Sequence, residues 1–464
     1  IGGEADAQFD ISLDDDKQEV LATAKLKDAA LNLEEKHILL QNANGEIAFR
    51  YATTAKQSKS HLSLKNIKAN TRTGDLALNL EIENLQMPQV ATNGSFNIQL
   101  EELLGIARPG LLKDARGIVN GNFSYSKNFS DWDDLKQNFL NEAKLGGELA
   151  LANGEMTFLN SNITLKNMGA EIKLRDKDLI IERFFAREGD SEFLLDGWLY
   201  NALYFGSNRP TALLKARLQS QYVDLDRILA WQFPRYSETD SSYTSSRTAP
   251  PAFNYSILLD VKRFNLIEFD GLNLSGEVWN DALKVKGKEI EFDALDGKVA
   301  GSFSWSTEAS GYRFWTKGDL TRIDIHKLFN SFKNFGQEWL LAENIYGTGT
   351  ASIETSMDFD LKMNFIPSSL KLISDISIEK GRLKGYKPLL SLSSIVDKKA
   401  LDDVSFDKLE NQIAISNEVI TIPQMEIKSS ALNLLLLGRH TFDQQIDYSV
   451  RLALKDVIGK KRKD

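Results

Sequence analysis

A chain of 464 residues that is 42% hydrophobic and 26% charged can bury a large core, and this composition excludes disorder beyond short segments. A formal net charge of -9 argues against a nucleic-acid footprint over the whole surface, and the lack of cysteine removes disulfides, thiolate metal sites and Cys nucleophiles together. No run reaches the roughly 18 apolar residues of a membrane-spanning helix, and the opening Ile1-Gly-Gly-Glu4 has no signal-peptide pattern, so a processed or partial chain is expected.

From the N-terminus, apolar residues alternate with polar ones over 9–13, 31–33, 38–40, 45–49, 61–64 and 76–82. Alternation with period two puts one greasy and one wet face on a strand. Turn chemistry at Asn42-Ala-Asn-Gly45 and Thr73-Gly-Asp75 separates the stretches, and Asp14-Asp15-Asp16 reads as a hairpin turn, so an antiparallel meander is expected.

Helical turns interrupt this pattern at Glu101-Glu-Leu-Leu104, and after Asp131, Asp224 and Asp324, each aspartate preceding apolar residues at helical spacing as an N-cap does. A polar Ser/Thr/Pro-rich loop occupies 234–251. The expected division is N-terminal β repeats over 1–233, that loop, a middle repeat over 252–369 and a C-terminal region over 370–464.

Two internal similarities point to repetition. Leu149-Ala-Leu-Ala-Asn-Gly154 matches Ile376-Ser-Ile-Glu-Lys-Gly381, and Phe193-Leu-Leu-Asp-Gly197 matches Leu434-Leu-Leu-Leu-Gly438. The second copy is longer by the length of one segment, 388–401, where Pro388 precedes Leu389, Leu392 and Val396 at helical spacing. A short helix laid on the sheet is expected there, because the strand from Leu432 to Gly438 turns apolar on both faces and needs cover. Repeated β units stack in one dimension.

On the order of 25 to 30 strands of typical length against about five helices leave an apolar face that helices cannot cover. Each fully exposed Leu or Ile forgoes roughly 1.5 to 3 kcal/mol. The expected fold is therefore mostly β: a long curled antiparallel sheet forming an open hydrophobic groove (a β-taco, or repeating β-groove) with a few short helices, its inner face filled by acyl chains. The expected lining is Ile376 and Ile378; Ile413 and Ile415; Ile420, Ile422 and Ile427; Leu432, Leu434 and Leu436; and Ile446, Tyr448, Val450, Leu452 and Leu454. Catalytic signals are weak. His37, His61, His326 and His440 are scattered without a metal-binding spacing, no nucleophile elbow or phosphate loop is present, and neither enzyme activity nor a cofactor or metal is expected.

The order Ile376 to Leu383, helix, Phe406-Asp-Lys-Leu409, the isoleucine pairs at 413/415 and 420/422, the 432–438 strand with Gly438, and Asp447-Tyr448 resembles the C-terminal region of the AsmA-like family, with relatives TamB and YhdP. That resemblance implies a periplasmic protein of the Gram-negative envelope, anchored to the inner membrane by an N-terminal helix outside this chain. It implies bridge-like lipid transfer: phospholipid acyl chains in the groove, moved between inner and outer membranes, with envelope proteins as further partners and no nucleic acid. The alternative is an envelope scaffold or outer-membrane assembly factor that binds partners through its sheet edges.

Overall fold

The computed structural model describes residues 2–14, 17–33, 38–54, 58–107, 112–158, 163–202, 212–232, 254–266, 269–281, 284–336, 338, 340–390, 393, 397–431, 433–443 and 445–452. Asp15, Asp16, Leu392, Val396, Leu432, Leu454 and the 234–251 loop lie outside them. The chain divides into two compact units, one up to Arg217 and one from Leu218 onward.

Unit 1 is built from β1 (Gly2–Asp14), β2 (Lys17–Leu33), β3 (Ile38–Thr54), β4 (Ser58–Asn70), β5 (Asp75–Glu83), β6 (Gln89–Gln99), α1 (Leu100–Ala107), β7 (Leu112–Asn128), α2 (Trp132–Asn138), β8 (Lys144–Phe158), β9 (Thr164–Arg175), β10 (Asp178–Glu188) and β11 (Ser191–Tyr200). Each of these strands pairs antiparallel with the next. After β12 (Leu213–Ser220), unit 2 continues with β13 (Val223–Asp224), α3 (Leu225–Gln232), β14 (Asn254–Leu266), β15 (Phe269–Asp281), β16 (Lys284–Ala294), β17 (Gly297–Glu308), β18 (Gly311–Asp324), α4 (Ile325–Ser331), β19 (Ile345–Asp360), β20 (Phe365–Lys384), α5 (Lys387–Leu390), α6 (Lys398–Asp402), β21 (Asp403–Ser416), β22 (Val419–Lys428), β23 (Asn433–Thr441) and β24 (Ile446–Leu452). From β14 to β24 the pairing is again antiparallel, neighbour to neighbour. Among the described residues β1 pairs with β2 alone and β24 with β23 alone, so neither unit closes into a barrel. Each unit shows the expected fold class, an open curled sheet that is mostly β with a few short helices.

The helix signals hold where a cap was read. Asp131 accepts from the backbone N–H groups of Asp133 and Asp134 at the start of α2, Asp224 from Arg227 N at 3.0 Å, and Asp324 from Lys327 N at 2.9 Å. The segment 388–401 differs. Helical turns occupy its two ends as α5 and α6, and Asp397 caps α6 separately by accepting from Lys399 N at 3.0 Å, so one continuous helix gives way to two turns.

Strands are longer than the alternation suggested, up to the 20 residues of β20, because several expected breaks are bulges. At Asn42 to Gly45 the chain does not turn. Asn42 adopts φ 50° and β3 runs on, with register shifts against β4 on either side of Asn44. A bulge of this kind admits an extra residue while the strand continues. The bulge is held by Asn42 Nδ2 to Asn70 Oδ1 at 3.0 Å and Asn44 Nδ2 to Asn42 O at 2.7 Å. The Thr73-Gly-Asp75 turn does separate β4 from β5. The repeat is visible as four consecutive strands per copy: Gly154 and Gly197 lie in β8 and β11, Gly381 and Gly438 in β20 and β23, with α5 and α6 inserted after the first strand of the second copy.

Candidate functional site

Directly opposed residues of an antiparallel pair point to the same face, so the register can be followed across each unit. In unit 1 one such row reads Ile67, Leu78, Gly94, Phe123, Gly147, Leu174, Leu179 and Leu199, from β4 to β11, and all eight residues are apolar. A second row, Phe9, Ala22, Phe49, Leu62, Ile82 and Val90, carries the same face from β1 to β6.

In unit 2 a row of eleven residues crosses every strand from β14 to β24: Ile257, Val278, Gly287, Phe303, Thr316, Thr355, Leu372, Ile415, Ile420, His440 and Ile446. It contains no Asp, Glu, Lys or Arg. Its two threonines turn their hydroxyls to backbone carbonyls, Thr316 to Ser302 O and Thr355 to Lys371 O, both at 2.9 Å. Burial pushes the His440 imidazole below its ordinary range, which favours the neutral ring.

The other face is charged. Lys25 opposes Glu46, which opposes Lys65; Arg313 meets Asp358 through Nε to Oδ1 at 2.7 Å; Lys317 opposes Glu354 at 3.2 Å. The Arg313 hydrogen bond holds Asp358 below the usual carboxylate range. Such exposed pairs add little stability each, but their segregation gives each unit one wet and one oily side. A shallow depression of about 380 Å³ in unit 1 is lined by wet-side residues including Asn79, Glu81, Asn93, Ser124, Ser126 and Lys144 together with Tyr125 and Leu145.

The expected lining residues of the C-terminal region share the oily face wherever they are described. Ile415 opposes Ile420, Ile420 opposes His440 and His440 opposes Ile446; Ile422, Gly438 and Tyr448 form the next row, Leu436 and Val450 another, and Ile427, Leu434 and Leu452 the last. Ile376 opposes Ala351 and Asn411, Ile378 opposes Gly349 and Leu409, and Ile413 opposes Ser374. They are not equally open. Leu434, with Val404, Leu401 and Ala431, forms a buried cluster against which Leu389 and Leu390 of α5, Ala400 of α6, and Ile427, Leu436 and Leu452 pack. The helical turns therefore cover this end of the face, while Ile446 and Val450 stay exposed. Cover was expected on both sides of β23, yet Leu437, which points the other way, remains exposed.

In unit 1 the helices cover both ends of the strands. Leu103 and Leu104 of α1 pack on Leu100, Ala115 and Val119, and Leu135 of α2 packs on Ile82, Val90, Tyr125 and Phe129. Glu102 positions α1 by accepting from Thr71 Oγ1 and Thr73 N at 2.9 Å, Arg72 N at 3.2 Å, and Thr73 Oγ1. Burial pushes its carboxyl up, and those hydrogen bonds together outweigh it, leaving the group below the usual range.

One recurrent device escaped the sequence reading. Among the described residues, six glycines have the ring of the directly opposed residue lying where a Cβ would be: Gly94 and Phe123, Gly121 and Phe96, Gly271 and Phe264, Gly287 and Phe303, Gly381 and Phe406, Gly438 and Tyr448. A Cβ on Gly438 would lie 1.9 Å from Tyr448 Cδ1, and one on Gly381 2.1 Å from the Phe406 ring. The rings thus lie down over backbone that has no side chain, which lets a glycine remain in a strand and the sheet bend. The signal was present as glycines inside alternating stretches, but a glycine's cross-strand partner depends on register, and register depends on the bulges.

No family model, curated protein or solved structure matches the chain.

Proposed function

We propose that this chain is an envelope lipid-binding and transfer protein of the AsmA-like kind. It holds phospholipid acyl chains along the oily face of its sheet, with headgroups in water, and helps lipid pass between inner and outer membranes. The observation that carries this reading is the eleven-strand row in unit 2 without a formal charge, ending on exposed Ile446.

Acyl burial contributes up to about 0.8 kcal/mol per CH₂, less on a face that stays half open. With no ionised group along the row, each position offers nearly the same energy, so a chain can slide instead of lodging. The test is mass spectrometry of organic extracts from natively purified protein. Co-purifying phospholipid is expected; a lipid-free preparation that also fails to take up lipid from vesicles refutes the reading.

A second reading, a scaffold that binds partner strands, draws on the outer edge of β1. That edge has no partner among the described residues, and β1 carries Phe9, Ile11 and Leu13 at 65 to 72% exposure. A stoichiometric protein partner lost on introducing proline into β1, with no extractable lipid, would favour it.

A further inference from the structure

The oily face of unit 1 is continuous with an exposed apolar lobe that the groove itself does not require. α2, the turn that follows it and the turn between β5 and β6 place four large side chains at the surface, Met87, Trp132, Phe139 and Leu140, each 42 to 56% exposed. The lobe is fixed in place. Trp132 Nε1 donates to Leu85 O at 2.7 Å, and Phe139 stacks on Tyr125 with ring centroids 4.5 Å apart while its carbonyl accepts from Tyr125 Oη at 2.7 Å. Burial pushes the Tyr125 phenol up to about 12, so this donor stays protonated. Tyr125 is buried in one cluster with Ile82 and Val90 of the oily face, and Leu135 and Leu145 pack against it, so apolar packing runs from the face, under α2, to Phe139 of the exposed lobe.

We propose that this lobe is the membrane-contact site of unit 1, seating in the interfacial layer of a bilayer so that an acyl chain passes from membrane to oily face alongside α2. The proposal rests on the lipid-binding reading above. One feature commits it to a lipid surface, the continuity just described, which a protein partner would not need. Charge sets the mode of contact: Asp131, Asp133, Asp134 and Glu142 outnumber Lys127 and Lys136 in the segment from 127 to 142, and Lys136 already pairs with Asp133 at 3.1 Å. Contact therefore depends on apolar insertion with an aromatic at headgroup level, not on attraction to anionic lipid.

The test is flotation of the full chain with vesicles of pure phosphatidylcholine and with vesicles doped with phosphatidylglycerol. Met87→Ser combined with Leu140→Ser removes apolar surface from the lobe and leaves Trp132, Phe139 and the oily face intact; thermal melts confirm folding. Wild type is expected to float with both vesicle types, insensitive to salt, and the double variant to bind about ten-fold less while keeping its extractable lipid, as loss of one to two partly buried apolar side chains implies. Equal binding by the double variant, or wild-type binding that requires phosphatidylglycerol, overturns the proposal, as does capture of a stoichiometric protein through the lobe without vesicle binding. A wild type that floats through the lobe yet carries no lipid refutes the groove reading alone.

Discussion

Val450 and Leu437 offer a matched pair on opposite faces of adjacent strands. Val450 opposes Leu436 on the oily face at 42% exposure, and Leu437 opposes Ser449 on the other face at 39%. Each is somewhat more than half buried, so replacement by Asp should cost a similar amount of folding stability in both cases, about 1 to 2 kcal/mol. Their effects on lipid differ. An acyl chain crossing β24 covers the exposed part of Val450, worth roughly 1 kcal/mol, and Val450→Asp also leaves a carboxylate to be desolvated without a partner, at about 1 to 3 kcal/mol. A combined loss of roughly 2 to 4 kcal/mol lowers affinity about thirty-fold or more, whereas Leu437→Asp should change it little. The assay is lipid content per mole of protein by mass spectrometry, with urea unfolding run in parallel. If Val450→Asp retains wild-type lipid, or if both variants lose it equally, the assignment of faces to roles is wrong.

Two further outcomes follow from local geometry. Gly438→Ala puts a methyl group 1.9 Å from Tyr448 Cδ1 and 2.6 Å from Asp447 O, so it should lower unfolding stability by about 1 to 3 kcal/mol, and Tyr448→Ala in the same chain should recover only the part due to the ring; a neutral Gly438→Ala would refute the close contact. Glu102→Gln should cost about 1.5 to 3 kcal/mol at pH 7, because an amide offers one acceptor oxygen where the carboxylate uses two. The folded-state affinity of Glu102 for a proton is lowered, so its contribution is present above the ordinary carboxylate range and is lost as pH falls through the folded value. The difference between wild type and Glu102→Gln should therefore shrink on acidification, and a gap that widens below pH 4.5 would contradict the sign.

What the sequence made legible was the alternation and the caps. The runs at 76–82 and 446–452 are strands with the expected side on the oily face, since the side chain of every second residue has nowhere else to point. Asp131, Asp224 and Asp324 announce helices because a short carboxylate ahead of an apolar turn satisfies free N–H groups locally. The long-range features were not legible. Asn42 to Gly45 carries the residues of a turn and makes a bulge, and Glu289, at φ 51°, sits in a register shift inside the continuous strand β16. Each bulge resets the register, and the register alone decides that Gly438 meets Tyr448 and that Leu434 lies beneath α5 and α6 while Val450 stays open. The exposed lobe at α2 was hidden for a related reason: the turn that carries Met87 meets α2, through Trp132 Nε1 to Leu85 O, only because of the hairpin register of β5 to β7.

The central claim, that the uncharged face is where hydrocarbon lies, is tested most directly by photocrosslinking with a phospholipid that carries a diazirine near the end of its acyl chain, followed by peptide mapping. Adducts should fall on the row through Phe303, Leu372, Ile415, Ile420 and Ile446 and on its counterpart through Leu78, Phe123 and Leu174. Adducts confined to the charged face around Lys25 and Glu46 or Arg313 and Asp358, or none above an irradiated blank, would contradict it.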